Sequence, residues 1–255
     1  MLLQFEIFKS RDDLIHAITT VSLDGVKPFN LADHTGPESV QAVDHRRLLC
    51  DRLGVPFANL TVSEQVHDGR IAIVEAADIG RGASGRADAI PGCDGLITNR
   101  RGVPLMALSA DCPLVLIFDP VQKALAVVHV SWRSLARGII AESITRLADI
   151  VDTDASCLLA GVGPSAGPCC YDVGDDFCEE ISRIDGLGKF INRQGNDGPR
   201  RYDLWRAIRG SLTQAGLADD NIEIAGRCTI CDDRFFSYRR EGAQTGRFAL
   251  VAALR

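Results

Sequence analysis

Cys112 stands just before one apolar run, Pro113–Phe118, and His129 stands near the end of the next, Ala124–Val130. Both runs have the length and the β-branched content of buried strands. Asp119-Pro120 and Gln122-Lys123 between them are turn signals, so the stretch predicts a hairpin. Antiparallel pairing sets the start of one strand opposite the end of the next. The thiol of Cys112 and the imidazole of His129 are therefore expected at one sheet end. His67 closes a third strand-like stretch, Asn59–His67. One thiolate and two imidazoles form the kind of three-ligand donor set that catalytic zinc uses, with a fourth position left for water or substrate. Without a metal, Cys112 and His129 would instead make a nucleophile and its base. Taken singly, Cys112 reads as an inert core thiol and each histidine as a hydrogen-bonded strand end; the case rests on the three together.

His16, His34 and His45 fall in expected loops or helices, and solvated or locally bonded side chains are the plain reading of all three. Four cysteines compete for a metal: the vicinal Cys169-Cys170, and Cys228 with Cys231 in a C-x-x-C spacing. A vicinal pair suits ordinary tetrahedral chelation poorly, so buried free thiols are expected there rather than a structural zinc site. Redox chemistry at Cys228–Cys231 lacks the surrounding βα pattern it would need. Arg133, Arg239, Arg240 and Arg247 are candidate anion contacts. The last three share an Arg- and Gly-containing segment suited to binding phosphate through a guanidinium fork.

Elements must position these groups. A first strand over Phe5–Phe8 and a short helix from Asp12 to about Ile18 are expected, then a helix over Val40–Leu53 stopped by Gly54. Strands follow at Asn59–His67, Ile71–Ala76, Asp94–Thr98 and Leu105–Ala110, with Gly80–Gly92 read as a mobile surface loop that fits no phosphate-binding motif. Beyond the hairpin, helical spacing predicts a helix over Gly138–Val151, a second one carrying Val173, Phe177, Ile181 and Ile184, and a third from Asp203 to Ala215. A strand is expected at Ser156–Val162 and a polar loop at Gly186–Arg201. Terminal strands are expected at Ile222–Cys228, Phe235–Arg239 and Phe248–Leu254. The elements interleave without a strict βαβ rhythm, which favours mixed sheets in one α+β domain over a doubly wound fold.

The chain has 255 residues, 46% hydrophobic and 24% charged, and is long enough for a sizeable core. A net charge of −6 argues against a nucleic-acid binder, and no apolar run approaches the ~18 residues of a membrane span. The start resembles no secretory signal. Nine irregularly spread cysteines fit reduced thiols, so a cytoplasmic protein is expected.

Several runs also resemble a known family: Gln65-Val66-His67, CDGLIT at 93–98, SADCPLVLIFDP at 109–120, His129 with Trp132-Arg133, GPSAGPCCYDVGDD at 163–176, and CTICDDRFFSYRREGAQTGR at 228–247. In order, from about residue 60 onward, they resemble the YfiH-like family, also called the laccase-domain or multicopper polyphenol oxidase family. The resemblance implies a single four-layer α/β/β/α domain over residues 1–255, related in fold to a toxin deamidase with a Cys/His site. It maps metal ligands onto His67, Cys112 and His129. It implies zinc-dependent phosphorolysis of adenosine, inosine, guanosine or methylthioadenosine, and deamination of adenosine, with nucleoside and phosphate as partners and a monomer or small homo-oligomer. Arg133, Arg239 and Arg247 become candidates for the phosphate.

Other members of that family are described as copper-dependent laccase-like oxidases or as editors of peptidoglycan precursors. Five histidines cannot furnish a full multicopper set, though one copper in the same three ligands is chemically reasonable. A divergent, non-catalytic nucleoside binder is a further alternative. The motivation is HVSWRS at 129–134, where the family usually reads HAGWRG; Val130, Ser131 and Ser134 predict a narrower pocket. Asp68 replaces a usual glycine, and Val21 stands where the family carries an arginine.

Overall fold

In the computed structural model, which describes residues 1–193, 195 and 198–255, the chain forms two mixed sheets with helices outside each. The strands in chain order are β1 (Leu2–Leu3), β2 (Leu14–Thr19), β3 (Thr61–Val62), β4 (Ile71–Ile73), β5 (Gly95–Thr98), β6 (Leu105–Ser109) and β7 (Leu114–Asp119), followed by β8 (Ala124–His129), β9 (Leu159–Val162), β10 (Ile191–Arg193), β11 (Arg200–Tyr202), β12 (Ile222–Ile224) and β13 (Phe248–Leu254). The helices are α1 (Ala42–Leu53), α2 (Trp132–Ala136), α3 (Ile139–Ala148), α4 (Asp175–Ser182), α5 (Leu204–Gln214) and α6 (Tyr238–Glu241). One sheet has the order β1-β2-β13-β6-β3 and the other β12-β9-β7-β8-β5-β4; β10 and β11 pair separately.

The period-2 alternation of strand side chains divides the apolar residues among three cores. Leu114, Leu116 and Phe118 of β7, Leu125 and Val127 of β8, and Leu250, Ala252 and Leu254 of β13 meet between the sheets. Val115, Ile117, Ala126 and Val128 face the other way, against Ile140, Ile144 and Leu147 of α3 and Ile208 and Leu212 of α5. Ala249, Val251 and Ala253 of β13, with Met106 of β6, pack on Leu49 and Cys50 of α1. The layer order is thus α/β/β/α. Strands buried on both faces read as unbroken apolar runs, which is why β7, β8 and β13 stand out in the sequence.

Some expectations need correction. The segment expected as a helix up to Ile18 is strand β2, which pairs with β13 from Leu14 to Ile18; long-range ladder bonds override its local helical look. Phe5–Phe8 holds a 3₁₀ turn at Glu6–Phe8 instead of a strand, and Asn59–His67 shrinks to Thr61–Val62. Part of the Gly186–Arg201 loop is the antiparallel pair β10–β11; the remainder includes Gln194, Asn196 and Asp197, which lie outside the described residues. Phe235–Arg239 is no strand; its end enters α6, capped by the Ser237 side chain accepting from the Arg240 N–H. The glycine-rich Gly80–Gly92 segment is tied down: Val62 exchanges backbone bonds with Arg81 and Ile90, and the buried Arg46 guanidinium donates to the carbonyls of Gly82 and Ala83. Of the histidines expected to be solvated or locally bonded, His16 and His45 are buried and locally bonded, to the Phe5 N–H and the Asn30 carbonyl, and His34 lines a cavity.

Candidate metal and active site

The β7–β8 hairpin sets Leu114 opposite His129. Its turn is fixed by Asp119, whose carboxylate accepts the N–H groups of Val121 and Gln122 at 2.8 Å each. Alternation then turns Cys112 and His129 toward the space between the two sheets, at its open end. Cys112 follows Asp111, which sits in left-handed backbone with φ +98°. Three bonds hold that kink: Thr229 Oγ1 and the Arg239 N–H donate to the Asp111 carboxylate at 2.6 and 2.7 Å, and the Ala166 N–H donates to its carbonyl at 2.8 Å. His67 is also left-handed, with φ +64°, on the loop after β3 rather than at a strand end. Non-glycine residues in this region cluster where function demands an unusual chain path.

His67, Cys112 and His129 thereby bring their donor atoms within 4.8 Å of one another. The two imidazole rings meet edge to face, with centroids 4.8 Å apart. Asp94, the residue just before β5, organises both histidines. Its Oδ1 accepts the N–H groups of Val66 and His67 at 3.0 and 2.8 Å, and its Oδ2 accepts the Gly69 N–H at 2.9 Å. The same Oδ1 lies 3.6 Å from Nδ1 of His129, a buried nitrogen with no hydrogen-bond partner. At that distance the pair attracts electrostatically without a formed hydrogen bond. Sequence reading missed Asp94; the only signal was its place in CDGLIT. Gln65 adds a second clamp, exchanging two bonds with the Leu108 backbone of β6 at 2.7 and 2.8 Å.

Charge follows geometry. Burial alone would raise the Asp94 pKa, but His129 and the N–H groups of Gly69 and His67 outweigh it and hold the group well below the usual carboxylate range. Burial also opposes charge on Cys112 and His129. Their mutual attraction overrides it, drawing the thiol down and pushing the imidazole up, with His67 helping the thiol and Asp94 the imidazole. Two imidazoles, a thiol biased toward thiolate and a carboxylate behind one histidine fit a soft or borderline divalent metal.

The three groups open onto a cavity of about 550 Å³. Arg133, Arg239 and Arg247 all line it, as do Trp132 and Tyr171. Among the described residues none of these three guanidinium groups has a carboxylate partner. Arg240 is elsewhere employed, donating to the carbonyls of Thr229, Ile230 and Phe235. Of the three altered positions in HVSWRS expected to narrow the pocket, Ser131 lines the cavity, whereas Val130 and Ser134 do not. Val130 is buried in the helix-side core. Ser131 and Ser134 form a reciprocal capping box at the start of α2: the Ser134 N–H donates to Ser131 Oγ at 3.0 Å and the Ser131 N–H to Ser134 Oγ at 2.8 Å. Val21 does not line the cavity either.

A scaffold of two mixed sheets flanked by helices is shared with known proteins. The chain belongs to the multi-copper polyphenol oxidoreductase laccase family, whose model matches residues 16–255. It is 33% identical over 221 residues to the purine nucleoside phosphorylase YlmD of Geobacillus stearothermophilus, covering 86% of this chain and 81% of that one. It is 30% identical over 224 residues to adenosine deaminase RL5 from an unknown prokaryotic organism, covering 86% and 84%. The crystal structure of hypothetical protein YfiH from Bacillus licheniformis superposes with a TM-score of 0.90 at 26% identity, over 100% of this chain and 96% of that one. That of YlmD from G. stearothermophilus gives 0.88 at 30% identity, over 98% and 94%.

Proposed function

We propose that this chain is a metal-dependent enzyme of purine nucleosides, carrying out phosphorolysis and the deamination of adenosine. The observation that carries this reading is one cavity holding both a three-donor His67–Cys112–His129 cluster and three guanidinium groups, of Arg133, Arg239 and Arg247, without carboxylate partners among the described residues. The relatives named as purine nucleoside phosphorylase and adenosine deaminase support it. His67, Cys112 and His129 would hold zinc, with copper the less suitable occupant for hydrolytic chemistry. Bound zinc supplies Lewis acidity and makes water available as a nucleophile near neutral pH.

The chain's own residues divide the remaining work. Trp132 and Tyr171 offer aromatic faces to a purine, and Arg133, Arg239 and Arg247 offer charge to a phosphate. In phosphorolysis a phosphate oxygen bonds to the anomeric carbon while the bond to the purine nitrogen breaks, and that nitrogen takes up the proton the hydrogen phosphate gives up. Arginines that hold the phosphate in line reduce the entropy lost on the way to that encounter. Asp94 fixes His129 and the His67 backbone, so the donor set is arranged before any ligand arrives. Chain-wide, residues 1–255 would act as one catalytic unit.

A second reading rests on the alignment of Cys112, His129 and Asp94, which also describes a nucleophile, a base and its orienting carboxylate. The two are separated by elemental analysis beside a nucleoside panel with and without phosphate. Metal-dependent ultraviolet change on adenosine or inosine supports the first. Full activity in chelated protein, abolished by iodoacetamide, replaces it with the second, and metal-free protein with no turnover of any nucleoside sinks it.

A further inference from the structure

Away from the cavity's His67–Cys112–His129 cluster, Cys169, Cys170, Cys228 and Cys231 bring four sulfur atoms within 4.8 Å of one another. The Cys170 and Cys231 sulfurs are 3.1 Å apart, and those of Cys169 and Cys231 3.6 Å. A tetrahedral tetrathiolate with bonds of ~2.3 Å needs sulfurs roughly 3.8 Å apart, so small side-chain rotations suffice to frame a cation. Buried free thiols were expected here, because a vicinal pair looks unsuited to chelation. Backbone geometry removes that objection. The N–H groups of Cys170 and Tyr171 both donate to the Gly167 carbonyl at 2.9 Å. In such a helix-like turn, successive side chains stand about 100° apart, and both sulfurs reach Cys231.

The other half of the cluster is shaped as closely. The Gly167 N–H donates to the Cys228 sulfur at 3.3 Å. Gly167 is required for that approach: a Cβ there would lie 2.7 Å from the Trp205 ring and 3.0 Å from Cys228 Cβ.

We propose that Cys169, Cys170, Cys228 and Cys231 form a second metal site, a closed tetrathiolate for a soft divalent cation of the zinc class, structural rather than catalytic. Four cysteine sulfurs fill a tetrahedral shell and leave no position for substrate. Each thiol loses its proton to solvent on binding, and no electron changes hands. The bound cation ties the 165–172 segment to the 228–232 segment. Those segments supply part of the cavity wall: Tyr171 follows Cys170 and lines the cavity, and Thr229 follows Cys228 and holds the Asp111 carboxylate. The site therefore braces the catalytic kink from behind.

The test uses the full chain carrying Cys112→Ser, purified under reducing conditions, offered zinc and then analysed for metal. One tightly held equivalent is expected to remain, and to disappear when Cys231→Ser is added. Cobalt(II) substitution of the Cys112→Ser protein gives a readout that needs no second variant to fold. Intense sulfur-to-metal charge-transfer absorption with tetrahedral visible bands is expected, which two histidines alone do not produce. A Cys112→Ser protein that holds no metal, that binds cobalt without the thiolate absorption, or that shows a Cys170–Cys231 disulfide in place of metal overturns the proposal.

Discussion

Asp94 Oδ1 stands 3.6 Å from Nδ1 of His129 while the same carboxylate binds the backbone N–H groups of Val66, His67 and Gly69. One buried anion thus sets the ring of one candidate ligand and the chain path of another. Asp94→Asn keeps the shape but removes the charge and turns an amide NH₂ toward groups that already donate. Outer partners of this kind contribute about 10–100-fold to metal affinity. We expect a loss in that range for pocket zinc, measured by competition with a chromophoric chelator. Unchanged affinity would show that Asp94 only shapes the loop.

Arg133 is the pocket cation with the fewest other duties; its guanidinium lies 4.3 Å from the centroid of the Trp132 ring and forms no ion pair among the described residues. If it binds phosphate, Arg133→Ala removes a charge-assisted contact of about 1.5–3 kcal/mol. KM for phosphate in phosphorolysis should rise roughly tenfold or more, since 1.4 kcal/mol is a factor of ten. Adenosine deamination, which uses no phosphate, should change far less. Equal losses in both reactions would assign Arg133 to the nucleoside instead.

His16 gives the fold an acid-sensitive point remote from the cavity. It packs against Phe5 and Phe8, its Nε2 accepts the Phe5 N–H at 3.0 Å, and its Nδ1 has no partner. Burial pushes its pKa down from 6.5 to about 4. The unfolded chain takes up this proton near pH 6.5, whereas the folded chain resists it until about pH 4. The stabilising contribution is therefore complete above pH 6.5 and falls by up to about 3 kcal/mol as pH drops through that window. Urea midpoints of wild type and His16→Gln should diverge in slope between pH 6.5 and 4, with the variant flatter. Parallel slopes would refute the assignment.

The reciprocal Ser131–Ser134 cap predicts that Ser134 acts on stability rather than on pocket shape, whereas Ser131 both caps α2 and lines the cavity. Ser131→Ala should lower stability by about 1 kcal/mol through the lost N-cap, read from thermal or denaturant unfolding. Ser134→Gly, which restores the residue usual in the family, should leave KM for nucleosides within a factor of two. A large KM change in Ser134→Gly would mean that this hydroxyl reaches the substrate after all.

Legibility in the sequence followed the range of the forces. Leu114–Asp119 and Ala124–His129 could be read because their apolar content, turn residues and period are local. The pairing that brings Cys112 to His129 followed from them, and His67 was found by residue type though its strand was drawn too long. Leu14–Thr19 misled because Asp12 imitates a helix start, while the β13 ladder that makes it a strand lies more than two hundred residues away. Asp94 was invisible for the same reason: its role exists only once the Val66–Gly69 backbone folds over it. The sulfur cluster joins cysteines 61 positions apart, and a vicinal pair reveals its chelating shape only when the turn beneath it is known.

The pairing of Leu114 with His129 means that a packing pattern also writes the chemistry. A slip of one residue along β7–β8 would turn every side chain of the strand to its opposite face, sending His129 out of the intersheet space and leucines into the helix layer. The apolar residues thus proofread the position of the imidazole. That check begins at the Asp119 turn, at the far end of a six-pair ladder from the imidazole it places. A conservative change there could leave the sheet folded and still misdeliver the histidine.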